Sequence, residues 1–240
     1  MSDGLGGTAA LAARRMGALT ATGALLGLLV GGVGSRLAMM LLARLNPEVT
    51  GLTSDDGFTM GRFTVSDTVN LLLFGALLGV AGAGVYALLR GLRIGPRWFQ
   101  VLSIGAGPAV VIGAVIVHTD GIDFRVLEPT WLAIGLFVAI PGVYAVLLTV
   151  LAERTLRPGG WWERAPLALA VAPLVLWIGP AAPLLLIVAA CWVAREGLRR
   201  THAGAALLNH PAVGWAARLG LAAIFTVALL DLARDTAELL

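Results

Sequence analysis

The chain contains no lysine; all seventeen of its cationic side chains are arginine. Cysteine occurs once, at Cys191 inside an apolar run, which excludes an internal disulfide, a cysteine-based zinc site and an iron–sulfur cluster. Charged residues make up only 13% of the sequence, and a net charge of +3 spread over separate segments makes no basic face for nucleic acid. No two histidines share an apolar run, so a haem held between two histidines is excluded. Neither a Gly-x-Ser-x-Gly elbow nor a His-Glu-x-x-His helix is present. The middle of every long apolar run also lacks a carboxylate, the group a proton- or sodium-coupled carrier places there. These absences predict a protein without cofactor, metal or catalytic residues, and one that is not an enzyme.

What remains is apolar. Hydrophobic residues supply 58% of the chain, in runs of about 18 to 22 residues that match a hydrocarbon core of about 30 Å. The fold class expected is an all-α integral membrane protein of about seven transmembrane helices, with lipid as its first partner. Spans are predicted over 16–35, 68–89, 98–118 and 130–152, and a final one over 212–230. The stretch 165–194 could be one over-long helix or two short ones. It reads as a hairpin turning at Gly179-Pro180-Ala181-Ala182-Pro183, because proline removes a donor and clashes with the preceding turn. A single transmembrane domain then covers 1–240: a cytoplasmic tail (1–15), two helical hairpins (16–152) and a three-helix part (161–240).

Charge orients these helices. Arg14, Arg15, Arg90, Arg93, Arg97, Arg154, Arg157, Arg164, Arg195, Arg199 and Arg200 gather at alternate breaks, which the positive-inside rule places in the cytoplasm. The N-terminus is therefore expected inside and the C-terminus outside, behind an acidic tail carrying Asp231, Asp235 and Glu238. Six spans would put Arg195, Arg199 and Arg200 outside, a worse partition.

The two hairpins look related. Gly84-Val85-Tyr86-Ala87-Leu88-Leu89 matches Gly142-Val143-Tyr144-Ala145-Val146-Leu147-Leu148, and each is preceded by a loop with Asp-Gly followed by Phe. Both would enter and leave on the same sides, a parallel duplication. Gly23, Gly27 and Gly31 repeat every four residues in the first helix, and Gly75, Gly79 and Ala83 do so in the second. Such stripes let backbones approach closely in lipid. Pro108, Pro141, Pro166 and Pro173 are expected to kink their helices.

Polar candidates collect on the outer side. Arg36, Asp55, Asp56, Asp67, Asp120, Asp123 and Glu128 form a candidate ion or headgroup site, since hard oxygen ligands suit calcium or magnesium and an arginine at the membrane boundary suits an anion. The plainer reading of the acids is turn chemistry, because Asp-Gly is a turn dipeptide. That of Arg36 is a snorkelling or ion-paired cation, with Asp67 or Asp231 as partner. Asp56-Gly57 with Gly61-Arg62 departs from the Asp-Gly-x-x-Ala-Arg opening of membrane CDP-alcohol phosphotransferases by one residue, and the downstream paired aspartates of that family are missing.

The stretches Asp55-Asp56-Gly57-Phe58-Thr59-Met60-Gly61-Arg62-Phe63-Thr64 and Asp120-Gly121-Ile122-Asp123-Phe124-Arg125-Val126-Leu127-Glu128-Pro129, with the two Gly-Val-Tyr ends, resemble a group of uncharacterised multi-pass membrane proteins of actinobacteria. The resemblance covers roughly the first two thirds of the chain. It implies the bacterial inner (plasma) membrane and brings no established activity. The function expected is an accessory or scaffold subunit of a membrane assembly, its partner another membrane protein or a second copy. The alternative is a small transporter or channel with its path between the two repeats.

Overall fold

The computed structural model describes residues 2–55, 57, 59–178 and 201–240; between 178 and 201 it describes 183, 186, 187, 190, 191, 194, 197 and 198. Among the described residues the regular elements are helical, save one antiparallel bridge between Thr53 and Thr59. A chain this apolar has no other open solution in lipid, where each backbone N–H and C=O must find its partner within its own segment.

Among the described residues, five helices are long and apolar enough to cross a membrane: Ala10–Leu45, Val65–Leu92, Arg97–Ile116, Thr130–Thr155 and Pro211–Leu239. The shortest has 20 residues, about 30 Å at about 1.5 Å per residue. The first comprises α1 (Ser2–Leu26), a π-helical turn (Gly27–Val33) and α2 (Gly34–Leu45). It is followed by α3 (Val65–Leu89), α4 (Arg97–Ile116), the single turn α5 (Asp123–Val126) and α6 (Thr130–Thr155). After α6 come the short pieces α7 (Trp161–Arg164) and α8 (Leu167–Val171), and at the C-terminus α9 (His202–Asn209) and α10 (Pro211–Leu239).

Two expectations change, and a third falls largely on residues that are not described. The hairpin expected over 165–194 lies largely outside the described residues, and its described beginning is α8 running into a 3-10 helix (Ala172–Trp177). Pro166 and Pro173 do not kink a helix. Pro166 precedes α8 in extended backbone and Pro173 opens the 3-10 helix, so both interrupt the segment. Pro108 and Pro141 do lie inside α4 and α6. Lastly, α10 continues to Leu239, so Asp231, Asp235 and Glu238 are helical rather than a tail, with Arg234 3.2 Å from Glu238 one turn on.

The glycine stripes meet face to face. A Cβ at Gly79 would stand 2.7 Å from the Cα of Gly27, and one at Gly75 would stand 2.6 Å from the amide nitrogen of Gly32. Only hydrogen fits between α3 and the π turn. Where burying leucine gains nothing over lipid, such contact supplies the dispersion energy that holds helices together. The π turn itself contains Gly27, Gly31 and Gly32, which offer no Cβ to resist the wider winding.

The 3-10 helix packs on this seam. Trp177, 1% exposed, donates its indole N–H to Thr20 Oγ1 at 2.8 Å, and its ring covers Gly84. A buried indole needs such an acceptor.

The two ends of the bundle differ in charge. At the basic end Arg93 pairs with Glu153 at 2.6 Å, Arg15 meets Glu163 at 3.4 Å, Arg14 donates to the carbonyls of Trp162 and Ala165, and Arg218 donates to the Leu92 carbonyl at 3.1 Å. The N–H of Gly159, 2.9 Å from Glu163 Oε2, holds that carboxyl below its ordinary range, with Arg15 adding to the effect. At the opposite, acidic end, Leu42, Val49, Val117, Phe124, Leu127 and Leu232 form one apolar cluster beneath the loops. Because α10 starts beside Leu92 and reaches this cluster through Leu232, it runs in the same direction as α1 and α4.

Candidate functional site

Two loops close the acidic end. The first, 46–64, begins with a 3-10 turn (Pro47–Val49) and folds back as a small hairpin, with Gly51 N–H on the Met60 carbonyl at 2.9 Å and Met60 N–H on the Leu52 carbonyl at 2.8 Å. Gly57 has φ of 81°, a left-handed conformation that glycine adopts without strain. The Gly57 N–H meets the Ser54 carbonyl at 2.9 Å.

The second loop, 117–129, clasps the first. Asp55 receives the N–H groups of Ile122 and Asp123 on its two carboxylate oxygens, each at 3.2 Å, while Asp123 Oδ1 receives the Asp55 N–H at 3.2 Å. Gly121 makes room for this, since a Cβ there would lie 2.7 Å from Asp55 Cγ and 2.7 Å from His118 Cε1. The two Asp-Gly dipeptides therefore need glycine for different reasons: Gly57 for its backbone angle, Gly121 for close approach.

Asn46 supplies a second tie. It is 1% exposed; its amide group donates to the carbonyls of Leu42 and Glu128, both at 2.8 Å, and its Oδ1 accepts the Glu128 N–H at 2.7 Å. Sequence reasoning did not single out Asn46. Its signal was a lone amide between the apolar end of α2 and Pro47, where a helix C-terminus needs its carbonyls satisfied.

Of the residues singled out from sequence, Asp55 and Asp123 are brought together and Glu128 joins them through its backbone. Asp120 is exposed on the turn before α5. Asp67 belongs to a different structure, the first turn of α3, where its N–H is capped by Thr64 Oγ1 at 3.1 Å and its charge faces the positive helix end. Asp56 lies outside the described residues. Among the described residues no three Asp, Glu, His or Cys side chains are grouped to hold a metal ion.

Arg36 departs from its expected partners. Rather than pairing with Asp67 or Asp231, it lies 4.9 Å from the centre of the Phe63 ring and donates from Nη2 to the Arg62 carbonyl at 3.3 Å. Among the described residues its buried Nε has no hydrogen-bond partner. Most buried donors have one, so an exception of this kind calls for an explanation.

Beside Arg36 opens a feature that only packing could reveal. α3 rests on α1 and the π turn, whereas α4 rests on α6 and α10, and between α3 and α4 lies a cleft of about 1610 Å³. Its floor is α6 at Ile140, Pro141 and Tyr144, and its far wall includes Phe225 of α10. Arg36, Arg44, Arg62 and Phe63 line it at the acidic end together with Asp55 and Asp123, and Arg90, Arg93 and Arg218 at the basic end. Between these arginines the described lining carries no charge. Tyr144 spends its hydroxyl on the Gly79 carbonyl at 2.5 Å, leaving the floor apolar.

Compared with protein families, with curated proteins and with solved structures, the chain finds no match.

Proposed function

We propose that this chain is a non-catalytic, multi-pass protein of the bacterial inner (plasma) membrane, which serves a membrane assembly as an accessory or scaffold subunit by receiving an apolar membrane component in the α3–α4 cleft. The observation that carries this reading is a cleft at membrane depth, apolar between its arginine-marked ends. An ion or proton path would need a charged or hydrated group at mid-depth. A wall of Phe74, Leu78, Val111 and Val115 instead suits another hydrocarbon surface.

The positive-inside rule puts the basic end in the cytoplasm and the clasped loops outside. Seven spans fit this orientation: Arg164 and the start of α10 belong to the same end, so a hairpin between them returns the chain where six spans would not. The contact between the loops of the two hairpins agrees with a parallel duplication. Reporters fused after residue 97 and after residue 125 should lie in opposite compartments.

Gly107 provides the test of the cleft. It lies in the cleft wall, and nothing lies within 4 Å of where its Cβ would stand, so Gly107→Phe can enter the open space from there. The full-length protein extracted in native lipid should lose its bound membrane component through this substitution while keeping its melting temperature. Retention of the same component would refute the reading. That the cleft runs from one arginine-marked end to the other favours a second reading, a small transporter of an amphipathic substrate between the hairpins. Flux in reconstituted vesicles, blocked by Gly107→Phe, would select it.

A further inference from the structure

We propose that the acidic-end mouth of the cleft binds the phosphate of a membrane lipid on Arg36, with the acyl chains of that lipid lying along α3 and α4. This rests on the reading of the cleft as a receptor for an apolar membrane component, and it names that component.

Arg36 is a cation prepared for an anion that the described residues do not supply. A guanidinium has five N–H donors in a planar fork. One donor of Arg36 reaches the Arg62 carbonyl, while Nε is buried without an acceptor among the described residues. The Phe63 ring at 4.9 Å and the Arg62 carbonyl hold the group in place, so little side-chain freedom is left to lose when a ligand arrives.

Two carboxylates, Asp55 and Asp123, line the same mouth and hydrogen-bond loop backbone rather than Arg36. Asp67 sits in the first turn of α3. At the basic end Arg93 is ion-paired with Glu153, while Arg218, set over the Trp215 ring as Arg36 is over Phe63, spends its Nε on the Leu92 carbonyl. An acceptor for Arg36 must come from outside the described chain. A phosphate oxygen fits, because it takes charge-assisted bonds from a guanidinium fork.

Position identifies the phosphate as a lipid's. Arg36 stands at the boundary between the loops and the uncharged length of the cleft, where an outer-leaflet headgroup lies once the basic end faces the cytoplasm. Below it the cavity of about 1610 Å³ is walled by hydrocarbon, which acyl chains fill and a free ion does not.

The test uses the full-length protein in detergent micelles, titrated with phosphatidylglycerol, with diacylglycerol of the same chains and with sodium phosphate, and read by native mass spectrometry and by melting temperature. Phosphatidylglycerol should bind and raise the melting temperature, diacylglycerol should bind at least about tenfold more weakly, and sodium phosphate should not compete at equal concentration. Arg36→Gln should weaken phosphatidylglycerol about tenfold or more, the scale of one charge-assisted hydrogen bond, and leave diacylglycerol unchanged. Arg36→Lys should fall between, since it keeps the charge and loses the fork.

Equal binding of the two lipids, tight binding of phosphate alone, or full binding by Arg36→Gln would each overturn the proposal. If Gly107→Phe abolishes lipid binding while Arg36→Gln leaves it intact, the cleft reading stands and the headgroup site fails. If neither variant changes binding, both fail. Should Arg36→Gln not fold, Arg36→Lys and the comparison of the two lipids on the unmodified protein decide.

Discussion

Asn46 offers the sharpest test of how the acidic end is held. Its side chain makes three hydrogen bonds, at 2.8, 2.8 and 2.7 Å, and is 1% exposed. Replacing it by alanine removes all three and leaves the Glu128 N–H and carbonyl without this partner, while the Leu42 carbonyl keeps the backbone N–H of residue 46 at 3.0 Å. At about 0.5–1.5 kcal/mol net per bond, with a further penalty for each group left buried and unpaired, Asn46→Ala should cost about 2–4 kcal/mol. For a chain of this size that is a drop of roughly 5–10 °C in melting temperature. Asn46→Asp makes the physical claim more specific. It keeps an acceptor for the Glu128 N–H, but it loses the donors and places a carboxylate against the Leu42 and Glu128 carbonyl oxygens. The protonated acid alone can donate there, so the folded protein should favour the neutral form and raise the pKa of the new side chain. A group with a raised folded pKa contributes stability that is present at low pH and lost as pH rises. Asn46→Asp should therefore be less stable than Asn46→Ala at pH 7 and recover on acidification. The assay is thermal unfolding of purified protein between pH 7 and pH 4, with tryptic cleavage after the exposed Arg62 and Arg125 as a second readout of loop opening. If Asn46→Ala melts within a degree of the unmodified protein and its loops resist trypsin equally, the clasp does not hold this end together and the reasoning is wrong.

Other expectations follow from the same contacts. Gly79→Ala places a Cβ 2.7 Å from the Gly27 Cα and should destabilise by about 1–3 kcal/mol through overpacking, whereas Gly107→Ala enters open space and should be neutral; thermal unfolding of the two variants side by side checks the difference. Glu163 has its carboxyl lowered below the ordinary range, first by the Gly159 N–H and then by Arg15. Its contribution is therefore present above the unfolded carboxyl pKa and lost as pH falls through the lower folded value. Hydrogen exchange across 159–165, corrected for intrinsic rates, should accelerate in that acidic window. Glu163→Gln should exchange fast at every pH, and a pH profile unaltered by that substitution would contradict the assignment.

The sequence by itself determined that this is a helical membrane protein, because run length against bilayer thickness and the need to satisfy the backbone in lipid are local requirements. The starts and ends of α3, α4 and α6 fall within a few residues of the apolar runs, since arginine, proline and Asp-Gly mark where a chain leaves hydrocarbon. The glycine seam was legible for the same reason: a four-residue spacing lies on one helix face whatever the partner. Only the tertiary structure decided that Asp55 and Asp123 bind each other's backbone while Asp67, of identical chemistry, serves its own helix. Which loop backbone lies 3 Å from a carboxylate depends on the whole bundle, not on the residue. Arg36 makes the same point. Its place at the membrane boundary could be read from the run before it, but its stack on Phe63 and its open Nε arise from helix contacts many residues apart. The cleft is the plainest case, since it exists because α3 and α4 each pack more closely on other helices than on one another, and no one-dimensional pattern records a space between two apolar faces.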